Sequence, residues 1–168
     1  VTANYFIHLA VLAMVWMIVA AGTNVIQGYA GYVSIAQGGF MGIGAYSSAL
    51  LSLDAGVPVW LAISVAPFIT ALAALIAGYP SLRVRGHYFA ILTLAMNMVI
   101  YIVLVNWIPV TGGEAGTTGI PAPEPISIGA LEISFERRVN YYYLALAALA
   151  LTMLIVTAVV RSRVGRVL

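Results

Sequence analysis

The chain has 168 residues, of which 63% are hydrophobic and 7% charged, with a formal net charge of +2 and no cysteine. An average soluble protein carries about 25% charged residues, so this chain has too little polar surface to cover a globule in water and takes the bilayer as its solvent. The same counts exclude a disulfide framework and a thiolate metal site. The arginines fall in short clusters at the ends of apolar runs, with no basic face to track phosphates, which excludes a nucleic-acid partner.

A helix rises 1.5 Å per residue, so about 20 apolar residues cross the ~30 Å hydrocarbon core. On that measure residues 5–23 form the first span. The chain before it opens on Val1 in an apolar run without a basic leader, unlike a signal peptide, and it stops at Leu168 just after a basic cluster. The sequence therefore reads as a fragment of a longer polypeptide. Residues 24–37 are polar and glycine-containing, and a second span is expected over 38–53. "DAGVP" at 54–58 supplies a capping Asp54, a flexible Gly56 and a Pro58 suited to a first helical turn, so the link to the third span, 57–79, is short. "PSLRVRGH" at 80–87 joins it to the fourth, 88–108.

"PVTGGEAGTTGIPAPEP" from Pro109 is too rich in Pro and Gly for a span and too polar to face lipid. "ISIGALEISF" at 126–135 alternates apolar and polar residues around Gly129-Ala130, the pattern of a small hairpin with a two-residue turn. A fifth span follows at 141–160. The fold class expected is all-α: a polytopic transmembrane helical bundle, one transmembrane domain over residues 1–168, with a short external loop and hairpin insertion at 109–140. Orientation follows from arginine retention on the cytoplasmic side. Placing the 80–87 loop inside puts Arg83, Arg85, Arg161, Arg163 and Arg166 in the cytoplasm and leaves Arg137 and Arg138 outside. Tyr141, Tyr142 and Tyr143, with Trp107, then belong to the outer aromatic belt.

"GYAGYVSIAQGGFMGIGAY" at 28–46 concentrates glycine inside this hydrocarbon chain, although each glycine weakens a helix by about 1 kcal/mol relative to alanine. Gly38, Gly42, Ala45 and Ala49 share one helix face, and a face without side chains lets two helices approach closely in lipid. Asn24, Gln27, Gly28, Gly31, Ser34 and Gln37 need more than that, because polar groups at membrane depth require partners or water. Two readings stay open: an interrupted element lining a solute route, as transporters use, or a cytoplasmic-side turn. The candidate route residues are Asn24, Gln27, Gly28, Gly31, Ser34, Gln37, Gly38, Gly42 and Asn97, with an interhelical hydrogen bond as the plainer role for Asn97. Met14, Met17, Met96 and Met98 read as gap fillers.

No catalytic arrangement is present in the sequence. Glu114, Glu124, Glu132 and Glu136 have no paired base, His8 and His87 have no carboxylate at ligand spacing, and no GxxxxGK[ST] phosphate loop occurs. Neither a cofactor nor a metal is expected, and ATP hydrolysis is expected in separate subunits.

Four blocks, "GYAGYVSIAQGGFMGIGAY" at 28–46, "LRVRGHYFAILTLA" at 82–95, "TGGEAGTTGIP" at 111–121 and "YYYLALAAL" at 141–149, resemble in order and spacing the LivM-type permease subunits of branched-chain amino acid ABC transporters. The resemblance covers nearly the whole chain. It implies a multi-pass permease of the bacterial cell (inner) membrane that pairs with a second permease subunit and with cytoplasmic ATP-binding subunits. It further implies a periplasmic solute-binding protein delivering branched-chain amino acids. The glycine-rich signature of the family carries over onto Gly28, Gly31, Ser34, Gly42, Gly44 and Tyr46. The chain departs from it at Gln37, where many members have His, and at Ala36 and Gly38, where many have Gly and Ala. Family members continue past "RSRVGR" into a cytoplasmic loop that contacts the ATPase, followed by further helices. The alternative is an ion-coupled secondary transporter or channel for a small neutral or zwitterionic solute, against which stands the lack of Asp, Glu, Lys or Arg inside any expected span. Urea and amide importers use permeases of the same type.

Overall fold

The computed structural model describes residues 2–81, 84, 86–128, 131–133 and 138–162. Six α-helices occur among them: α1 (Thr2–Asn24), α2 (Gln37–Leu53), α3 (Val59–Ser81), α4 (His87–Asn106), α5 (Ile108–Thr111) and α6 (Arg138–Arg161). Two short strands, β1 (Ile126–Ile128) and β2 (Leu131–Ile133), pair antiparallel with Ile128 opposite Leu131. That pairing is the expected hairpin. Its Gly129-Ala130 turn lies outside the described residues, as do Arg83, Arg85, Arg137, Arg163 and Arg166, on which the orientation rests.

Four helices are long and apolar enough to cross a membrane, within 4–29, 59–79, 87–106 and 139–161. The expected span at 38–53 forms as α2, but at 17 residues it is about 25 Å long, short of the ~30 Å core. The chain is a multi-pass membrane protein of all-α class with one small hairpin. Many of its large apolar side chains point outward, among them Phe68, Leu75, Ile76 and Ile108. In water that would be untenable, and in lipid it is the ordinary outer surface of a span.

The chain divides into two compact units, residues 1–32 with 125–168 and residues 33–124. In the first, α1 packs along α6. Met14 is buried there, whereas Met17, expected as a gap filler, is exposed. The most apolar stretch of α6 buries none of its residues within the chain. After Asn24 the helix widens into a π-helical turn, Val25–Tyr29, closed by the Ala30 N–H donating to the Val25 carbonyl at 3.3 Å.

In the second unit α2 lies between α3 and α4. The residues described as buried on α3 are Val59, Ala62, Ala66 and Ser81, and on α2 Gly39, Ala49 and Ser52. Small side chains thus form the helix contact, as expected where lipid tails offer no hydrophobic drive and close backbone approach supplies the attraction. The turn between α2 and α3 differs from expectation. Asp54 closes α2, its N–H donating to the Leu50 carbonyl at 2.9 Å, instead of capping α3. Gly56 turns the chain at φ +61°, and the Pro58 carbonyl accepts the first bonds of α3 from Leu61 and Ala62 at 2.9 and 3.0 Å. A proline there loses nothing, because its missing N–H would have had no helical partner.

Hydroxyls on the long helices are satisfied within their own helix. Thr23, Ser64, Thr70, Ser81, Thr152 and Thr157 each donate to the carbonyl four residues earlier, at 2.7–3.2 Å. This back-bonding lets a hydroxyl sit at membrane depth without an outside partner.

Candidate functional site

The second unit holds a polar contact between helices. Its origin is a defect in α2. The first N–H groups of a helix have no partner in their own backbone, and Ala36 at the cap position has no side-chain oxygen to offer. Relief comes from α4. Asn97 Oδ1 accepts the Gly39 N–H at 2.6 Å, and one turn earlier Thr93 Oγ1 accepts the Ile35 N–H at 3.2 Å. Thr93 is 2% exposed, and its hydroxyl in turn donates to the Ala90 carbonyl at 3.0 Å.

The glycines make this reach possible. A Cβ at Gly39 would stand 3.0 Å from both Asn97 Oδ1 and Ile100 Cδ1, and one at Gly42 would stand 2.9 Å from Leu104 Cδ1. Gly44 instead faces α3, where a Cβ would stand 3.1 Å from Thr70 Oγ1. Because Asn97 sits midway along α4 (His87–Asn106), α2 begins level with the middle of a helix of membrane length, and the non-helical segment 33–36 runs beside the first half of that helix.

A cavity of about 510 Å³ opens against the contact, lined by Gly38, Gly42, Tyr46, Asn97, Tyr101 and Leu104 among others. A second, of about 310 Å³, is walled by Ile43, Leu50, Val99, Val103 and Trp107, with Tyr46 and Leu104 shared between the two. The first cavity has an amide and two phenols on an otherwise apolar wall, the composition of a site for a small amphipathic solute.

At the far end of α4, Thr111 is 1% exposed. Its hydroxyl lies 2.6 Å from the Leu104 carbonyl and 2.9 Å from the Trp107 carbonyl, and it accepts the Gly113 N–H at 3.3 Å. This ties α5, and the loop after it, to the end of α4. The Trp60 indole N–H donates to the Glu124 carbonyl at 3.0 Å, fastening the other end of that loop to the start of α3.

The candidates divide between the two units. In the first, Asn24 lies just before the π-helical turn, Gln27 and Gly28 on it and Gly31 just after it, and all four are exposed. A Cβ at Gly28 would stand 2.6 Å from Asn24 Oδ1, so the Asn24 side chain lies over Gly28 and would have to turn aside for a larger residue. In the second unit Ser34 is buried, Gln37 half-buried, Gly38 exposed, and Gly42 and Asn97 half-buried. Of the face expected to pack, Gly38 and Gly42 turn toward α4, Ala45 is exposed and Ala49 is buried. Thr93 was not singled out by the sequence, although Thr and Asn one turn apart in an otherwise apolar helix were a readable signal.

The family of the branched-chain amino acid transport system permease component matches residues 5–168. The chain belongs to that family. It is 31% identical over an alignment of 181 residues to the high-affinity branched-chain amino acid transport system permease protein LivM of Escherichia coli (strain K12). To the protein of that name from Salmonella typhimurium (strain LT2) it is 32% identical. Each alignment covers 95% of the chain but 42% of the relative, so the chain spans about two fifths of the length of the curated relatives it matches. No solved structure matches it significantly.

Proposed function

We propose that the chain is part of the membrane-spanning permease subunit of an ATP-binding cassette importer in the bacterial inner membrane, and that it contributes to the translocation path for branched-chain amino acids. Membership of the permease family supports the transport role, and the names of the relatives from two bacteria support the solute class. The observation that carries the path is the start of α2 beside the middle of α4, next to a cavity of about 510 Å³. Broken helices of transporters present backbone groups to solute at mid-membrane depth in this way.

On this reading residues 24–46 and Asn97 lie along the route, the 80–87 loop is cytoplasmic and residues 109–140 face outward. An uncharged, small-residue path suits a zwitterion with an aliphatic side chain, whose charges backbone dipoles would hold. Energy would come from cytoplasmic ATP-binding subunits, because the sequence has no phosphate-binding loop of its own. A second permease subunit and a periplasmic solute-binding protein would complete the assembly.

Two measurements test this. The full-length subunit, reconstituted with its ATPase and binding protein in vesicles, is expected to take up leucine only with ATP; uptake on an ion gradient alone would replace the reading with the ion-coupled one. Single cysteines at positions 31–39 are expected to react with aqueous thiol reagents, and uniform inaccessibility would remove the path.

A further inference from the structure

We propose that Thr93 and Asn97 are positioning residues, a two-point latch that fixes the start of α2 to the middle of α4 so that the two helices move as one body during transport. The inference rests on the transport reading above. It assigns Asn97 a role distinct from touching solute, and gives Thr93 a role where the sequence suggested none.

The argument begins with the spacing. Thr93 and Asn97 are one turn apart on α4 and meet Ile35 and Gly39, which are the same distance apart in sequence. Both bonds run from backbone N–H groups to side-chain oxygens of α4: the Asn97 bond caps α2 from outside itself at Gly39, and the Thr93 bond holds Ile35 in the segment that leads into α2. In water the uncapped N–H groups of a helix would find solvent, but at membrane depth they need a protein partner. The latch therefore cannot open without leaving two donors unpaired, unless α2 and α4 separate into water. Glycine at 39 completes the device, because a Cβ there would meet Asn97 Oδ1 and Ile100 Cδ1, each at 3.0 Å. Thr93 is 2% exposed and does not line the cavity of about 510 Å³, so solute in that cavity is out of its reach. Whatever Thr93 does for transport, it does through the position of α2.

The experiment uses the full-length subunit in its reconstituted complex, read by hydrogen–deuterium exchange over residues 33–41 and by ATP-driven leucine uptake. Asn97→Leu and Thr93→Val are expected to speed exchange in that segment by about tenfold, the equivalent of one lost hydrogen bond. Asn97→Asp and Thr93→Ser, which keep the accepting oxygens, are expected to hold exchange at the parent rate. Thr93→Val is expected to lower kcat at unchanged KM, and Thr93→Ser to restore it. Unaltered exchange in Asn97→Leu and Thr93→Val overturns the latch, and so does a Thr93→Val variant that raises KM at unchanged kcat. A parent complex that takes up no leucine sinks the transport reading instead, and the two failures are told apart because exchange reads the latch without turnover.

Discussion

The α1–α6 pair and the α2–α4 pair solve the same problem with different materials. Both are helix contacts made by a nearly uncharged chain. On α1 and α6 the polar side chains Thr23, Thr152 and Thr157 bond back to their own helices, and a glycine such as Gly22 has open space where a Cβ would stand. On α2 the glycines abut a neighbour, and the backbone N–H groups of Gly39 and of Ile35, just before the helix, bond to side chains of α4. The difference teaches that glycine content alone does not mark a site. What marks one is a glycine whose missing side chain leaves room for a polar group from elsewhere in the chain.

Substitutions can break or sharpen that contrast. The largest effect is expected at Gly112, where φ is +75° and a Cβ would collide with the Gly116 carbonyl. Backbone cannot step aside as a side chain can, so Gly112→Ala is expected to cost about 3 kcal/mol from left-handed strain plus overpacking, read as a lower Tm of the full-length complex in detergent. Gly39→Val comes next: its Cβ would press on Asn97 and Ile100 and is expected to cost about 2 kcal/mol in the same measurement. Thr111→Val removes a hydroxyl that serves the end of α4 in a site 1% exposed, for about 1–2 kcal/mol. Gly42→Ala is expected to stay within about 1 kcal/mol, because the obstructing atom is the flexible Leu104 tip. Gly22→Ala in α1 is expected to go the other way and stabilise by up to about 1 kcal/mol, since nothing lies within 4 Å. If Gly22→Ala and Gly39→Val moved Tm alike, the contrast between the pairs would fall.

The spans were legible because uncharged apolar runs of membrane length leave little choice of structure. The hairpin was legible too, since its alternation implies a register that the pairing of Ile128 with Leu131 matches. Helix ends were harder. Asp54 has the side chain of an N-cap, yet it closes α2, because a cap residue acts only where the chain first enters the helix. The glycine face was half legible: an i, i+4 pattern says which residues share a side, but not that Ala45 is exposed while Gly39, outside the pattern, is buried. Asn97 was legible as an interhelical hydrogen-bonding residue, but its partner and that of Thr93 were hidden, because the donors are backbone groups 58 positions away in the chain and a backbone N–H leaves no trace in residue identity.

The hydroxyls that bond back to their own helix carry a mechanical consequence. A helix such as α6, whose Thr152 and Thr157 satisfy themselves, can slide or roll against a neighbour without breaking these two bonds. Over those turns its resistance to displacement comes from the shapes of side chains, which behave as a bearing. At Thr93 and Asn97 the same amino-acid chemistry behaves as a bolt.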